Sequence, residues 1–479
     1  MVFHTFDFFK FFIIIYFASF FLNLTAKRSE SNALPFQLNK LFLLGASYYF
    51  YAYWDVRFLS LVVISTLADY WAGRRIFQAA SQSEMRPYLI FSLAVNLSIL
   101  GFFKYFNFFI DSANTLLGGM GFNLPILNII LPTGVSFYTF QSLSYSLDIY
   151  FRKLEPSRNL VDFSLYVAFF PQLVAGPIVR ARHFLPQLKQ PTFYTADNFI
   201  KGFQIFLYGL FLKVVLADNI APIVDPIFKN PESYDNLAIW VAVLGYAVQI
   251  FCDFCGYSEM AIGLALSMGY ELPINFRTPY LANSLFDFWR RWHISLSSWL
   301  RDYLYIPLGG NRKGFKRTCF NVFITMLLGG LWHGPNWRFL LWGAWHGLGL
   351  LINRGFEKML GERLPDSSLI SIGKWALTFS FVCLGWVLFR AESLELVGVI
   401  YAKLLFLDGG ILNWKFLTAK NLFFIPCMIL IHLWFVLSKK ESLYFRNGSF
   451  ACHFYIVLVI FMVFLYAPLD NQEFIYFQF

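Results

Sequence analysis

Charged side chains are scarce in this chain. Only 14% of its 479 residues are charged, whereas about a quarter of a soluble domain is. In their place, 58% of the residues are hydrophobic and 60 are phenylalanine. This composition excludes an ordinary water-soluble protein. It predicts an all-α integral membrane protein, because a helix satisfies its own backbone hydrogen bonds in lipid.

Cysteine and metal-ligand patterns are also sparse. Six cysteines in this length give no disulfide framework. Cys252 and Cys255 have CxxC spacing, but they lie in an apolar run without a second pair, so we interpret them as packing residues one helical turn apart. Since His, Cys and acidic residues form no cluster with metal-ligand spacing, we expect no metal and no resident cofactor.

Two common catalytic motifs are missing. The Gly-x-Ser-x-Gly elbow of a serine acyl-enzyme fails in "GYSEM", where Met260 replaces the last glycine. The soluble His-x4-Asp pattern fails as well, because Ser298 stands five residues after His293 and Arg338 five residues after His333.

Apolar runs recur along the chain and predict about eleven crossings plus one or two re-entrant pieces. The first, Phe8 to Leu22, lacks a basic n-region and a cleavage site, so we interpret it as a retained span. We expect a single polytopic membrane domain over residues 1–479. The run centres lie near residues 15, 48, 65, 99, 138, 168, 208, 245, 263, 327, 345, 382, 430 and 460.

The net charge of +10 comes from basic clusters beside apolar runs. This pattern is typical of cytoplasmic loops that face anionic lipid headgroups. Two short spans separate the first two clusters, so both can lie inside, which puts the N-terminus outside. No aromatic-interleaved basic tract is present, and we expect no nucleic-acid partner. The clusters are Lys27, Arg28 and Lys40; Arg74, Arg75 and Arg86; and Arg312, Lys313, Lys316 and Arg317.

Residues 131–153, "LPTGVSFYTFQSLSYSLDIYFRK", break the rhythm of spans and loops. Pro132 and Gly134 predict a re-entrant or broken helix. Beyond them, Gln141, Tyr145 and Asp148 share one helix face. An acid at membrane depth is a candidate functional residue. The alternative is a carboxylate bonded to Tyr or Gln that holds two helices together.

Two further stretches depart from simple spans. Residues 169–188 contain helix-breaking Pro and Gly around Arg180 and Arg182, which predicts an irregular segment that lines a cavity or anchors at headgroups. Residues 284–317 carry an aromatic stripe and excess Arg, which predicts one helix in the membrane interface, ended by Pro307. His293 falls on the apolar side of this helix, so we expect it to point into protein or membrane.

The stretch "GGLWHGPNWRFLLWGAWHGLG" writes Trp-His-Gly twice. Gly329, Gly330 and Pro335 predict a helix end at His333. His346 would lie about 140° round from His333 on a continuous helix, so the two rings need not share a site. The residues alone leave open whether either ring is catalytic or bonds across helices.

Several motifs together resemble the membrane-bound O-acyltransferase family, and most closely its branch that acetylates bacterial alginate and related exopolysaccharides. The resemblance covers about residues 1–391, whereas residues 392–479 are less diagnostic. The motifs are "QSLSYSLDIY", "VAGPIVR", "FDFWRRWHISLSSWLRDYLYIPLGGNR", "LLGGLWHGPNW" and "GWVLFRAES".

The resemblance implies tilted helices around a central funnel, in the bacterial inner membrane. It implies His333 as the catalytic base and His293 as the second catalytic position, with His346 in support. A neutral imidazole suits removal of a hydroxyl proton as the oxygen attacks a thioester. We expect further positioning residues for donor or acceptor at Asp148, Gln141, Tyr145, Arg180, Trp332 and Asn336.

The expected reaction moves an acetyl group from a cytoplasmic thioester, acetyl-CoA or an acyl-carrier phosphopantetheine, toward an extracytoplasmic polysaccharide. The acetyl group would pass directly to glycan or to a partner periplasmic acetyltransferase. D-alanyl transfer to teichoic acid and acetylation of peptidoglycan remain alternatives. Two alternatives come from other functional classes. A transporter would bind coupling ions at Asp148, Asp253 and Glu259, and a structural scaffold would need no histidine for its function.

The basic clusters predict the topology of the first spans. Green fluorescent protein fused after Arg28 should fluoresce, because that cluster faces the cytoplasm, and alkaline phosphatase fused after Trp54 should be active outside. Exchanging the two reporters serves as the control. Phosphatase activity after Arg28 would contradict the predicted orientation.

Overall fold

The computed structural model describes residues 1–28, 34–118, 123–190, 194–360, 367–407, 418, 422–468 and 474–475, and within these ranges the regular structure is helical without β-strands. The fold is all-α, as the composition predicts. The first ten helices are α1 (Phe6–Arg28), α2 (Leu34–Ala52), α3 (Leu59–Gln78), α4 (Gln82–Leu100), α5 (Phe106–Leu117), α6 (Val135–Tyr150), α7 (Leu160–Ala168), α8 (Phe170–Leu173), α9 (Ala181–Phe184) and α10 (Ala196–Leu210).

The remaining described helices are α11 (Asp218–Lys229), α12 (Asn236–Ser267), α13 (Leu285–Arg291), α14 (Ile294–Leu300), α15 (Gly314–His333), α16 (Trp337–Leu360), α17 (Ser368–Arg390), α18 (Leu394–Leu404), α19 (Phe424–Ser438) and α20 (Phe450–Tyr466). The backbone is π-helical at Gly101–Tyr105, Phe211–Ala217 and Arg301–Tyr305.

Six helical stretches of the described chain are long and apolar enough to cross a membrane, and α19 and α20 are shorter apolar helices. The integral membrane class is thereby confirmed, while the total of about eleven crossings stays a prediction. The apolar runs centred near residues 245 and 263 belong to one helix, α12, of 32 residues, so the prediction of two separate runs was wrong. The six stretches are Phe6–Thr25, Val56–Gln78, Gln82–Leu117, Ala196–Lys229, Asn236–Ser267 and Ser368–Arg390.

Packing divides the chain into two compact units. The first comprises residues 1–206 and 260–273, and the second comprises residues 207–259 and 274–479. Each unit has its own buried polar centre. The single membrane domain over 1–479 stays a prediction.

A buried carboxylate, Asp69 of α3, organises the first unit. It accepts hydrogen bonds from Ser92 Oγ at 2.5 Å and Asn96 Nδ2 at 2.9 Å, both on α4. From α6, Ser142 Oγ and Ser146 Oγ donate to the same carboxylate. Since no bulk water reaches such depth, these donors stabilise the charge and tie α3, α4 and α6 together.

The buried polar centre of the second unit is Lys213, in the π-helical segment. Its Nζ lies 2.7 Å from both Asp218 Oδ1 and Asp253 Oδ1. Asp253 Oδ2 also accepts the backbone N–H of Ile475 at 2.8 Å, which fixes the end of the described chain to α12. Asp253 is therefore engaged in an ion pair in this structure.

The irregular stretches predicted from Pro and Gly are present in the first unit. Gly134 takes the left-handed φ of 76° immediately before α6, and a side chain there would meet the carbonyl oxygen of Leu173. Residues 169–188 form two single-turn helices and a 3-10 turn rather than a span. Nearly all of α6 is buried, so it packs inside the unit.

The prediction of one continuous helix from residue 284 to Pro307 is wrong. Helix α13 ends at Arg291, and the chain turns at Trp292 and His293 before α14 begins at Ile294. His293 has a left-handed φ of 43°, which a continuous helix cannot contain. The aromatic spacing that suggested one helix belongs to two short helices.

Helices α15 and α16 cross closely through two glycines. A Cβ on Gly330 would lie 2.8 Å from Gly343 Cα, and a Cβ on Gly343 would lie 3.1 Å from Gly330 Cα. The backbones therefore approach without side chains between them, as at small-residue helix crossings in membranes. This crossing sets the positions of His333 and His346.

We expect Gly330→Ala to lower stability by about 1–3 kcal/mol, because the added methyl group meets backbone of α16 that cannot move aside. The thermal midpoint in detergent measures the effect. Gly373→Ala on α17 is the matched control, since a Cβ there meets nothing within 4 Å. Equal midpoints for the two variants would show that the crossing tolerates a side chain.

Candidate active site

His293 occupies the break between α13 and α14. The α13 helix is capped by Ser284, whose Oγ accepts the Asp287 N–H at 3.1 Å. After the break, the Ile294 N–H donates to the Asn275 carbonyl at 2.9 Å. A left-handed conformation at a non-glycine residue costs about 1–3 kcal/mol of free energy. The hydrogen bonds around His293 therefore stabilise the turn against this strain. The imidazole of His293 is completely buried.

Asn275 fixes the protonation pattern of His293. Its Oδ1 accepts the Ser295 backbone N–H at 3.2 Å and the Ser295 hydroxyl at 2.9 Å, and its Nδ2 donates to Ser258 Oγ at 3.1 Å. Because Oδ1 is thereby an acceptor, the contact of 3.1 Å to His293 Nδ1 requires a proton on Nδ1. In the neutral ring the lone pair is then on Nε2. Burial lowers the pKa of His293 to about 3, so the ring is neutral at cellular pH.

His333 is the last residue of α15, as the glycine and proline pattern predicts. The chain continues through Gly334, where a Cβ would collide with the ring of Phe339, so the tight turn into α16 requires glycine. The His333 ring is 6% exposed and lies among aromatic side chains. Its centroid is 5.0 Å from Trp332, 5.0 Å from Trp342 and 5.2 Å from Phe389.

Trp342 lies against both histidines of the repeated motif. Its centroid is 5.0 Å from His333 and 4.8 Å from His346. Trp289 contacts His346 at 5.1 Å. Neither nitrogen of His346 has a hydrogen-bond partner in the described part of the chain. His346 thus behaves as a buried ring packed among aromatic rings.

His293 joins the same group of rings through Trp332, at a centroid distance of 6.1 Å. Trp386 stacks against Trp342 at 5.9 Å and lies 5.0 Å from Trp292, the neighbour of His293. The second unit therefore gathers three histidines in a dry environment. We call this group the histidine cluster: His293, His333 and His346 with Trp289, Trp292, Trp332, Trp342, Trp386 and Phe389.

A cavity of about 1060 Å³ lies beside the histidine cluster. Trp289 lines it and also contacts His346 and Trp342, so this indole separates the cavity from the buried rings. The lining comes from α13 to α16 and from the π-helical segment after α14. Four basic side chains face one acidic side chain, Glu357; the basic ones are Arg290, Arg301, Arg354 and Lys358. Such a site favours an anionic ligand.

The predicted positioning residues on α6 lie in the first unit. Gln141 Nε2 donates to the Tyr166 carbonyl at 2.5 Å, and the Tyr145 hydroxyl accepts the Ser157 N–H at 3.1 Å. These contacts hold neighbouring segments of the unit together. Roles for Gln141 and Tyr145 in binding stay predictions.

Asp148 and Arg180 are both buried in the first unit, and both lie near His183. Burial lowers the pKa of His183, the charges of Arg182 and Arg180 lower it further, and Asp148 raises it. Asp148 and Arg180 thus belong to one group of charges. Whether this group binds substrate stays a prediction.

Trp332 and Asn336 lie in the second unit, on either side of the turn at His333. Trp332 connects the rings of His293 and His333. Asn336 Oδ1 accepts the Arg338 N–H at 2.9 Å, so it caps the start of α16. Its side chain thus has a structural role, and a role in binding stays a prediction.

Two residues of this site were missed in the sequence. Asn275 is 18 positions from His293, and its partnership depends on a turn that helical periodicity does not predict. Trp342 lies four residues before His346. Residues at that spacing share one helix face, so the sequence could have predicted this contact.

We expect Asn275→Ala to lower the acyl-transfer turnover anticipated from the sequence by about tenfold to a hundredfold, because the orientation and tautomer of His293 are lost. KM should change little. Asn275→Asp keeps an acceptor oxygen and should retain more turnover than the alanine variant. Unchanged kcat in Asn275→Ala would show that His293 needs no such support.

Comparison with known proteins identifies the family. The membrane-bound O-acyltransferase family model matches residues 50–383, inside the core expected from the motifs. The probable alginate O-acetylase of Pseudomonas putida is 46% identical over 368 residues, which cover 76% of this chain and 74% of that protein.

Two further relatives act, by their names, on cell-wall polymers. The peptidoglycan O-acetyltransferase of Helicobacter pylori is 35% identical over 490 aligned positions, covering 92% of this chain and 91% of the relative. The teichoic acid D-alanyltransferase of Bacillus subtilis is 29% identical and covers 56% of this chain and 71% of the relative. With a family match over residues 50–383 and relatives of 46% and 35% identity, the chain belongs to the membrane-bound O-acyltransferase family and is an acyltransferase.

Proposed function

We propose that the protein transfers acetyl groups from a cytoplasmic thioester to hydroxyls of an extracytoplasmic polysaccharide such as alginate, with His333 as general base. The observation that carries the proposal is the histidine cluster, where a helix ends at His333 inside a dry aromatic shell. We further propose that the enzyme lies in the bacterial inner membrane. The relatives named as alginate O-acetylases support the acceptor class.

The proposed donor site is the basic cavity of about 1060 Å³. Its lining includes Arg301, Tyr305 and Asn311, next to the basic loop predicted to face the cytoplasm. Acetyl-CoA and acyl-carrier phosphopantetheine both carry phosphate, which basic side chains bind. Trp289 of the histidine cluster also lines this cavity, so the thioester end would pass at its ring.

The proposed chemistry is a direct transfer in a ternary complex. The acceptor hydroxyl gives its proton to the imidazole of His333 as its oxygen attacks the thioester carbonyl carbon. A C–O bond forms, the C–S bond breaks, and the imidazolium returns the proton to the departing thiolate. The products are an acetyl ester and a free thiol. His293, with Nδ1–H directed at Asn275, would present Nε2 to position the acceptor hydroxyl.

Peptidoglycan is the second candidate acceptor. One observation favours it: the match to the peptidoglycan O-acetyltransferase of H. pylori covers 92% of this chain, against 76% for the alginate relative of P. putida. Purified enzyme given acetyl-CoA and either polymannuronate or glycan strands separates the two, since only the true acceptor gains esters. Acetate passed first to a periplasmic partner would appear as an acetylated protein.

We expect His333→Ala to lower acetyl transfer by about 10²–10⁴-fold, the usual contribution of general-base catalysis. Release of free thiol and gain of acetyl ester should fall together. His453→Phe on α20 is the matched control: this histidine is exposed and lies outside the histidine cluster, so activity should remain.

Undiminished ester formation in His333→Ala would refute His333 as base, and intact glycan acetylation in cells would favour a scaffold. Movement of acyl groups across vesicles without a new ester would favour the transporter. Against a transporter, Asp253 is held by Lys213 at 2.7 Å.

A further inference from the structure

A second pocket lies in the second unit and shares no lining residue with the basic donor cavity. Its volume is about 300 Å³, and it is bounded by α12, α19 and the loop after α12. Phe251 and Phe276 form one wall, and Phe276 also lies 5.1 Å from Trp292 of the histidine cluster. The proposed acetyl transfer uses none of the polar residues of this pocket.

The closed end of this pocket holds three buried polar side chains. Tyr208, Glu259 and His432 line it, and each is only 3% exposed. The Tyr208 hydroxyl, Glu259 Oε2 and His432 Nε2 have no hydrogen-bond partner within the described ranges. Leaving one such group unpaired costs about 1–3 kcal/mol, so three in one pocket indicate a ligand with matching polar atoms.

The hydrogen-bond character of these atoms defines the ligand. His432 Nδ1 lies 3.1 Å from the Met428 carbonyl, which can only accept, so the proton is on Nδ1 and the lone pair of the neutral ring is on Nε2. The Glu259 carboxyl accepts when it is ionised and can also donate when it is protonated, and a phenol can both donate and accept. One acceptor and two groups that can donate or accept fit a ligand that carries two hydroxyls.

The open end of the pocket is basic. Four basic side chains and Glu441 line it; Arg277 pairs with Glu441 and Arg291 with Asp287, which leaves Lys439 and Lys440 without an acidic partner among the described residues, and Arg277, Lys439 and Glu441 are exposed. This charge favours an anion and opposes a metal cation; no group of three His, Cys, Asp or Glu in the described chain could hold a metal. The basic side chains are Arg277, Arg291, Lys439 and Lys440.

Exposed apolar side chains also adjoin the pocket. Val436 of α19 lines it and is 52% exposed, and Leu433 and Leu437 on the same helix are exposed apolar residues. Acyl chains would therefore find an apolar surface beside the basic mouth, as membrane-anchored ligands require.

We propose that this pocket binds the headgroup of an anionic, hydroxyl-bearing phospholipid. The phosphate lies among the basic residues at the mouth, and the glycerol hydroxyls reach Glu259, His432 and Tyr208. The shared chemistry is a phosphate joined to a diol, which a membrane lipid or a soluble glycerol phosphate could supply.

The test places the full chain in nanodiscs that contain equal amounts of phosphatidylglycerol, phosphatidic acid and phosphatidylcholine. The protein is then transferred to detergent, and native mass spectrometry measures which lipids it retains. Phosphatidylglycerol should be retained above phosphatidic acid, and both above phosphatidylcholine. Arg277→Gln and Lys439→Gln should each weaken retention of the anionic lipids roughly fivefold. Lys229→Gln, an exposed lysine on α11, is the control and should change nothing.

Two variants test the closed end. Glu259→Gln and Tyr208→Phe should abolish the preference for phosphatidylglycerol over phosphatidic acid while keeping the preference for anions. Tyr208→Phe removes only one hydroxyl, so it still tests whether the buried polar groups bind the lipid hydroxyls if Glu259→Gln does not fold. Displacement of lipid by added glycerol 3-phosphate would assign a soluble source, and its failure to displace would assign the lipid.

Equal retention of phosphatidylglycerol and phosphatidylcholine by the unaltered protein would overturn the proposal. An equal loss in Lys229→Gln and Lys439→Gln would overturn it too, because binding would then reflect general surface charge. These readouts are independent of acetyl transfer, so the failure of either proposal leaves the other intact.

Discussion

Polar groups that are buried at membrane depth have no bulk water to bind, and this constraint governs the structure. Each buried charge needs partners supplied by the chain. Asp69 takes four side-chain donors from two neighbouring helices, and Lys213 takes two carboxylates. These centres fix which helices pack together, because losing one partner would leave a charge in a dry interior. The rest of each unit is built on contacts between apolar and aromatic side chains.

The same constraint explains how His293 is prepared for chemistry. Its strained turn persists because Asn275 accepts the backbone N–H groups of Ile294 and Ser295, the two residues that follow it, and holds the imidazole through Nδ1. Ser258, on α12, in turn orients the amide of Asn275. The tautomer of a histidine thus depends on a serine 35 positions away in the chain. Because burial disfavours the charged form, the ring stays neutral, and its Nε2 is a hydrogen-bond acceptor.

Unsatisfied groups are informative against this background. His346 has unbonded nitrogens but is enclosed by rings, so its surroundings match a packed aromatic side chain. Glu259, Tyr208 and His432 line an open pocket, where a ligand can reach them. The difference between the two cases is access. A buried polar atom without space beside it indicates tolerated packing, whereas several around one cavity indicate binding.

The sequence alone determined the class of the protein. Its scarce charge and recurrent apolar runs require lipid-exposed helices, and glycine and proline around His333 end a helix there, because both are local properties of the chain. Local pattern failed at residues 284–317, where aromatic spacing predicted one helix but Asn275 stabilises a turn at His293. Residues 236–267 form one helix, although the sequence suggested two run centres there. The small and polar residues of this helix are buried against neighbouring segments and do not mark a loop. Only the tertiary structure decided that Trp342, which reaches His346 along its own helix, also contacts His333, since that contact depends on two helices crossing at Gly330 and Gly343.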